Sequence, residues 1–513
     1  MSPSSTPRRP VATAMPSVDD APSADMPADA PVIVWFRNDL RLSDNPALSH
    51  AVASGRPVLC LFVHDPQHAR EHALGAAAQW WLDGGLRALH ADLARVGAVL
   101  HVACGDALAL VPRMVAQAGA AEVVWNRRYD PLGRETDTAI KATLKHAGVI
   151  AHSFAAGVLY EPWTVRTRAG DAFRVFTAWW RAARASGEPL PPLPAPGHVH
   201  AAVSPGAWEG CCVGIDALRL VPVSPDWAGG LREAWQPGEA QARDRLHHFV
   251  DGGLGGYADA RDRPDLPATS RLSPDLRFGH ISPRQAWHAA VAAVRGGAAG
   301  GMGEQDLEKF LSELGWRDFA VSLLYAQPEL VSCNFRTEFD AMPWRNDARD
   351  LCAWQQGRTG YPIVDAGMRQ LWRTGWMHNR VRMIVASFLT KHLLCDWRMG
   401  EAWFRDTLVD ADIASNVINW QWVAGCGVDA APYFRVFNPV LQARRFDPDG
   451  TYVRRWVPEL AGVPTSCVHA PWTCDPAIRA RVAYPSPIVD LQGGRARALA
   501  AWKGLSDAPH EDA

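Results

Sequence analysis

Short β-branched runs alternate with Ala- and Leu-rich stretches over the first third of the chain, and then strand signals nearly stop. Residues 32–36, 58–63, 99–102, 122–125 and 149–152 have the length and apolar continuity of strands buried on both faces. Between them, residues 76–96 and 107–118 carry helical spacing. Such alternation with short connections predicts βαβ units and a doubly wound parallel sheet, an α/β arrangement covered by helices on both sides. After Gly238 the apolar spacing is helical almost throughout, as in residues 239–250, 282–294, 306–325, 381–394 and 401–408. A Pro- and Gly-rich stretch, residues 186–237, separates the two patterns and reads as a long connector.

The architecture expected is α/β plus all-α. A disordered tail spans 1–30, an α/β domain 31–163, a linker 164–237, an all-helical domain 238–495 and a C-terminal tail 496–513. A chain of 513 residues has ample material for two cores. Its longest apolar runs, such as residues 57–63, are too short to span a bilayer, and the N-terminus lacks a signal peptide's apolar centre. A net charge of −2 argues against a general polycation but leaves room for one basic face. Ten cysteines without a CxxC pair offer neither a zinc motif nor a disulfide framework, so reduced thiols, no metal and a cytoplasmic location are expected. Neither G-x-G-x-x-G nor a Walker A motif marks a phosphate loop.

Tryptophan is over-represented: 23 Trp stand against 16 Phe and 8 Tyr, and nine of them fall between Trp316 and Trp422. Residues 369–398 add Arg369, Arg373, Arg380, Arg382, Lys391 and Arg398 against one acid, Asp396. Aromatics interleaved with Arg suit a pocket that stacks a base and anchors phosphates, although a Trp-rich core with solvated Arg has the same composition.

Seven phrases in fixed order distinguish the two. Residues 34–45 (VWFRNDLRLSDN) open the sheet domain, and Thr269, Ser270, Arg271, Leu272 and Ser273 follow. Residues 313–319 (ELGWRDF), 359–366 (TGYPIVDA), 375–383 (GWMHNRVRM), 416–422 (NVINWQW) and 433–439 (YFRVFNP) complete the set. Over about residues 32–490 the chain resembles the DNA photolyase/cryptochrome family, and most closely the cyclobutane pyrimidine dimer photolyases of class I type.

That resemblance implies a parallel-sheet antenna domain and a helical domain holding FAD in its reduced form. Thr269, Ser270, Arg271, Leu272 and Ser273 match the segment around the pyrophosphate, where hydroxyls, a guanidinium and N–H groups suit phosphate oxygens; a helix N-cap would use the same residues. Tyr257, Phe310 and Asn379 match cofactor neighbours, and Asp410 and Asp412 the acids near the ribityl and ring, with Arg382 the partner of Asp410. Asn416 matches the residue facing flavin N5, where a neutral amide favours reduced flavin; Asn419 competes for that role.

Trp316 and Trp422 match the pair that sandwiches a flipped-out dimer, photolyases being a standard instance of base flipping. Glu313 would hydrogen-bond the pyrimidine edge, Asn379 and Met383 would line the pocket, and Arg261, Arg380, Arg435 and Gln442 would hold DNA around the lesion. Trp420, Trp397 and Trp344 match an electron relay to the flavin. Asn126 and Tyr129, at a strand end, are the antenna candidates. Methenyltetrahydrofolate is the chromophore implied, although Val331 and Ser332 do not reproduce the Cys-Lys pair of some folate binders.

The expected function is light-dependent repair of dimers in UV-damaged DNA by a monomeric deoxyribodipyrimidine photo-lyase. A cryptochrome-like photoreceptor is the alternative, weakened by the lack of a long C-terminal extension. His378 followed by Asn379 departs from the His pair of (6-4) photolyases, and Trp376-Met377-His378 from the DASH pattern. A generic flavin electron carrier would leave Trp316, Trp422 and the Arg set without a purpose.

Overall fold

Five fully parallel strands, β1 (Val32–Phe36), β2 (Val58–His64), β3 (Leu100–Cys104), β4 (Glu122–Asn126) and β5 (Ile150–Phe154), lie in the order β3-β2-β1-β4-β5. They belong to a computed structural model that describes residues 27, 29–66, 73–296, 303–429 and 434–506. Four helices follow the first four strands in turn: α1 (Pro46–Ala53), α2 (Ala76–Arg95), α3 (Ala107–Ala118) and α4 (Pro131–His146). Strand alternation sends Ile33, Trp35, Leu59, Leu61, Val123 and Trp125 to one face, against Val111, Met114, Ile140 and Leu144 of α3 and α4. The order reverses between β1 and β4, which places a crevice beyond their carboxyl ends.

The chain divides into two compact units. The first takes residues up to Ala228 together with Trp235–Gly255 and Ser270–Pro328; the second takes Gly229–Ala234, Gly256–Thr269 and everything from Glu329. Thus the expected cut at 237/238 is not where the units part. Helices beyond it, α6 (Glu239–His248), α7 (Ser273–Phe278), α8 (Pro283–Arg295) and α9 (Glu304–Ala326), belong to the first unit.

Hydrogen bonds from the 34–45 phrase explain why. Glu239 accepts from Leu42 N at 2.6 Å and Ser43 N at 3.2 Å. Buried Arg41 donates to Gly279 O at 2.9 Å, and Asp44 pairs with Arg284 at 2.7 Å. Gly279 itself has φ +70°, and a Cβ there would overlap the Asn38 carbonyl, so the chain passes too close for any side chain. Asp318 of α9 accepts from Leu159 N and Tyr160 N at 2.6 and 3.0 Å.

The expected linker also contains a helix, α5 (Phe176–Ser186), and its Pro-rich remainder is pinned to the first unit. Leu193 N donates to Asp44, Val58 N to His200 O, and the buried Trp208 indole to Met114 O.

The second unit is helical. Its main helices are α10 (Pro362–Thr374), α11 (Asn379–Ser387), α12 (Trp397–Thr407), α13 (Ile413–Ala424), α14 (Pro439–Phe446) and α15 (Leu491–Ser506). They enclose a core that includes Ile363, Met377, Val381, Leu389, Trp397 and Trp420. α15 crosses the expected start of a C-terminal tail at 496 and buries Ala498, so that tail is helix at least to Ser506. Residues 507–513, and 1–30 apart from Pro27, Asp29 and Ala30, lie outside the described residues.

Cys467 and Cys474 form a disulfide, which corrects the expectation of ten reduced thiols. The turn through Pro471–Thr473 folds the two back on each other, a pairing that no CxxC search finds. No helix of the described residues is long and apolar enough to cross a membrane.

Candidate functional site

Of the expected cofactor residues of the second unit, Asn379 and Arg382 sit on α11, Asn416 sits on α13 and Asp412 immediately precedes it. His378 starts α11 by accepting from Arg380 N at 3.1 Å, and burial holds the ring neutral, its pKa lowered to about 4. Arg382 reaches from the first turn to Asp410, donating to Oδ2 at 2.7 Å, and its Nε donates to Met377 O. Asp410 is buried, so the guanidinium supplies the charge it needs there. Asp412 caps α13 by accepting from Ser415 N at 2.9 Å.

Asn416 is buried on α13. Its Nδ2 donates to the Glu401 backbone carbonyl at 3.1 Å and to the Glu401 carboxyl at 2.8 Å. A backbone carbonyl can only accept, so it decides which end of the amide is nitrogen and leaves Oδ1 free of Glu401. Burial pushes the Glu401 carboxyl up, against the pull of Arg405 and Asn416. Asn419 is exposed and donates back to Ser415 O at 2.7 Å, so burial separates the two competing amides. Glu401 was not among the expected residues; a glutamate on an amphipathic helix reads as part of its solvated face.

Trp420 lies one turn beyond Asn416, and Trp397 begins α12. Both are buried in one apolar cluster, and Trp344 packs against that cluster while partly exposed. Trp420 meets Phe404 and Trp354 edge-on, with ring centroids 5.0 and 6.3 Å away. Gly400 makes room for it, since a Cβ there would overlap the indole. The Trp397 indole donates to Asn334 Oδ1 at 2.9 Å.

The expected lesion residues divide between the units. Glu313 and Trp316 lie on α9 of the first, as does the expected cofactor neighbour Phe310, whereas Met383 and Trp422 belong to the second. One face of Trp316 is covered by Phe176 of α5, with centroids 3.6 Å apart and planes 11° from parallel. Phe176 was hidden in what reads as linker. Glu313 is half-buried, 3.3 Å from Lys309 Nζ, and Phe310 packs on Phe249. The Trp422 indole donates to Asp429 O at 3.0 Å.

Thr269 ends a segment of the second unit and Ser270 begins one of the first. Helix α7 starts after buried Leu272 without a side-chain cap, and Ser270 Oγ accepts from Leu272 N at 3.4 Å. The capping role weighed for this stretch therefore does not account for its hydroxyls; Ser273 is exposed. Arg271 takes φ +52° and lays its guanidinium 4.3 Å from the Trp235 ring. A left-handed backbone at a residue with a Cβ costs on the order of 1 kcal/mol.

Tyr257 is buried at the start of a short turn of helix, with the Arg261 guanidinium 5.8 Å from its ring. Arg380 donates to Asp262 and lies over Phe446 at 4.4 Å. Asn379 and Arg435 are exposed, and Gln442 is half-buried on α14. Tyr433 of the last phrase lies outside the described residues.

At the end of β4, Asn126 is buried and donates to Asp39 Oδ2 at 2.6 Å and Asn45 Oδ1 at 2.7 Å, so its amide is committed within the protein. The Tyr129 hydroxyl donates to Glu161 at 3.1 Å, and the ring sits 6.2 Å from half-exposed Trp163.

Residues 310–504 match the family model for the FAD binding domain of DNA photolyase, and residues 32–197 match that for DNA photolyase. A deoxyribodipyrimidine photo-lyase of Agrobacterium fabrum is 49% identical over 482 residues, 93% of this chain and 98% of its own. Cryptochrome-1 of Arabidopsis thaliana is 37% identical, over 91% of this chain and 69% of its own. The crystal structure of a bacterial class III photolyase from Agrobacterium tumefaciens superposes with a TM-score of 0.89 at 47% identity, covering 94% of this chain and 99% of that one. A parallel-sheet unit followed by helices of this kind defines a class of flavoprotein that uses FAD. The chain belongs to the DNA photolyase family, to which the cryptochromes are also related.

The residues present suit the cofactor. A buried carboxylate–guanidinium pair and an oriented, buried carboxamide are the polar groups a flavin ring edge requires, and both lie on α11–α13 or next to them.

Proposed function

We propose that the chain repairs cyclobutane pyrimidine dimers in DNA, using light and reduced FAD. The observation that carries this reading is the Asn416 amide. Buried and held by Glu401, it offers Oδ1 as a fixed acceptor, which favours the protonated N5 of reduced flavin over the unprotonated oxidised ring. When bound, reduced FAD supplies the photoexcited electron that opens the two cyclobutane bonds, and recovers it once they are broken.

The chain's own residues bind and orient. Thr269, Ser270, Arg271, Leu272 and Ser273 hold the diphosphate; Arg382, Asp410 and Asp412 hold the ring and ribityl side; Tyr257, Phe310 and Asn379 pack around them. Trp316 and Trp422 embrace the extruded dimer, and Phe176 stiffens Trp316 from behind. Glu313 bonds the pyrimidine edge, and Met383 fills the pocket beside Asn379. Arg261, Arg380, Arg435 and Gln442 grip the strand around the lesion, a contact that added salt weakens. Trp344, Trp397 and Trp420 would pass electrons inward to the flavin from a reductant in solution.

Methenyltetrahydrofolate is the antenna in this reading, with Asn126 and Tyr129 as its candidate neighbours; the Asn126 amide is committed to Asp39 and Asn45, and the Tyr129 hydroxyl to Glu161. The enzyme acts as a cytoplasmic monomer, and the solved relative favours class III over class I as its subgroup. Similarity to cryptochromes supports a second reading as a photoreceptor. Illumination with dimer-containing DNA separates them: a photoreceptor would photoreduce its flavin and leave the dimers intact.

A further inference from the structure

On the sheet face opposite Trp35 and Trp125, three side chains far apart in sequence converge. Glu122 opens β4, and His152 stands on β5 beside Val124, so both point to the face that α1 covers. His50, in the last turn of α1, comes down onto them. His50 Nε2 lies 2.9 Å from Glu122 Oε1, and His152 Nδ1 lies 3.1 Å from the same oxygen. The two imidazoles meet edge to face with centroids 5.8 Å apart, and Phe154 flanks His50 at 5.1 Å. One nitrogen from each ring and the carboxylate oxygen all lie within 4.8 Å of one another.

We propose that His50, Glu122 and His152 form a binding site for one divalent transition-metal ion of the zinc type. Two imidazoles and one carboxylate are an established zinc ligand set, with bonds of about 2.0–2.2 Å. Donors around a tetrahedral ion at that distance stand roughly 3.4 Å apart, so small rotations of the His50 and His152 rings suffice. The carboxylate and His152 are well buried, whereas the His50 side chain keeps 31% of its exposure, which provides an entry path and a fourth position for water. The ion would replace ring N–H donation to Glu122 by coordination, each neutral imidazole carrying its proton on the other nitrogen. Its effect would be structural, fastening α1 to β4 and to the edge strand β5.

The test uses the full-length, FAD-loaded protein, stripped with a chelator and dialysed against buffered Zn²⁺ under reducing conditions, with bound metal measured directly. Wild type should take up one more equivalent than H50A or H152A, and its thermal midpoint should rise with Zn²⁺ where theirs does not. Affinity should fall at least about tenfold in each variant, since even outer-shell changes cost that much. E122Q, which keeps the shape of the site, should lose the same equivalent. Equal uptake by wild type and all three variants, or no saturable uptake by wild type, would overturn the proposal.

Discussion

Asn416 Nδ2 donates two hydrogen bonds to Glu401, one to its backbone carbonyl at 3.1 Å and one to its carboxyl at 2.8 Å. The carbonyl dictates the amide's orientation and the carboxyl reinforces it, across 15 residues of sequence. Replacing Asn416 by Ala removes the acceptor that favours reduced flavin. Reduced enzyme should then reoxidise in air about tenfold faster, the loss of one hydrogen bond worth about 1.4 kcal/mol. Glu401→Ala should shift the rate in the same direction but less, because the backbone partner persists. Aerobic decay of the reduced-flavin spectrum measures both.

Trp397→Phe keeps an aromatic ring in the core but removes an oxidisable indole and its bond to Asn334. Photoreduction of oxidised enzyme should fall at least tenfold, while repair by chemically reduced enzyme stays near wild type. Equal loss of both would refute the relay assignment.

Gly400→Ala drives a methyl group into Trp420 and Leu389. Overpacking of this kind costs about 1–3 kcal/mol. A lowered thermal midpoint together with slowed photoreduction is expected; unchanged stability would mean that Trp420 has room to move.

Acid should destabilise the second unit through buried His392, whose ring burial holds at about 4, below its ordinary 6.5. The unfolded chain binds this proton more readily than the folded one. Its stabilising contribution is therefore complete above about pH 6.5 and is lost as pH falls toward 4. On the order of 3 kcal/mol is at stake. The thermal midpoint of wild type should fall relative to that of His392→Phe as pH is lowered from 7 to 4.

Strands buried on both faces were the most legible part of this fold, because β-branched runs such as Val32–Phe36 and Val58–His64 have no other stable use. The helices after residue 238 were legible as helices, but not as members of the first unit. Glu239, Arg284 and Asp318 look like ordinary surface charges until their partners Leu42, Ser43, Asp44, Leu159 and Tyr160 are known. Asn416 could be singled out by its phrase, but its burial, in contrast to exposed Asn419, could not be read from it. Glu401, Phe176 and the His50–Glu122–His152 group carried no local signal, since each depends on a contact between elements, 15 residues apart for Glu401 and Asn416 and farther for the others. Cys467 and Cys474 escaped notice for a different reason: their spacing belongs to no motif.

Light-driven repair is the central claim, and it can be measured directly. Chemically reduced enzyme is mixed with an oligonucleotide carrying a single thymine dimer, illuminated with near-UV or blue light, and assayed for recovered thymine absorbance against a dark control. Recovery that requires light, and that falls sharply in Trp422→Ala, is the predicted result. If thymine does not return although the reduced flavin persists and the DNA is bound, the chain is not a dimer-repairing photolyase.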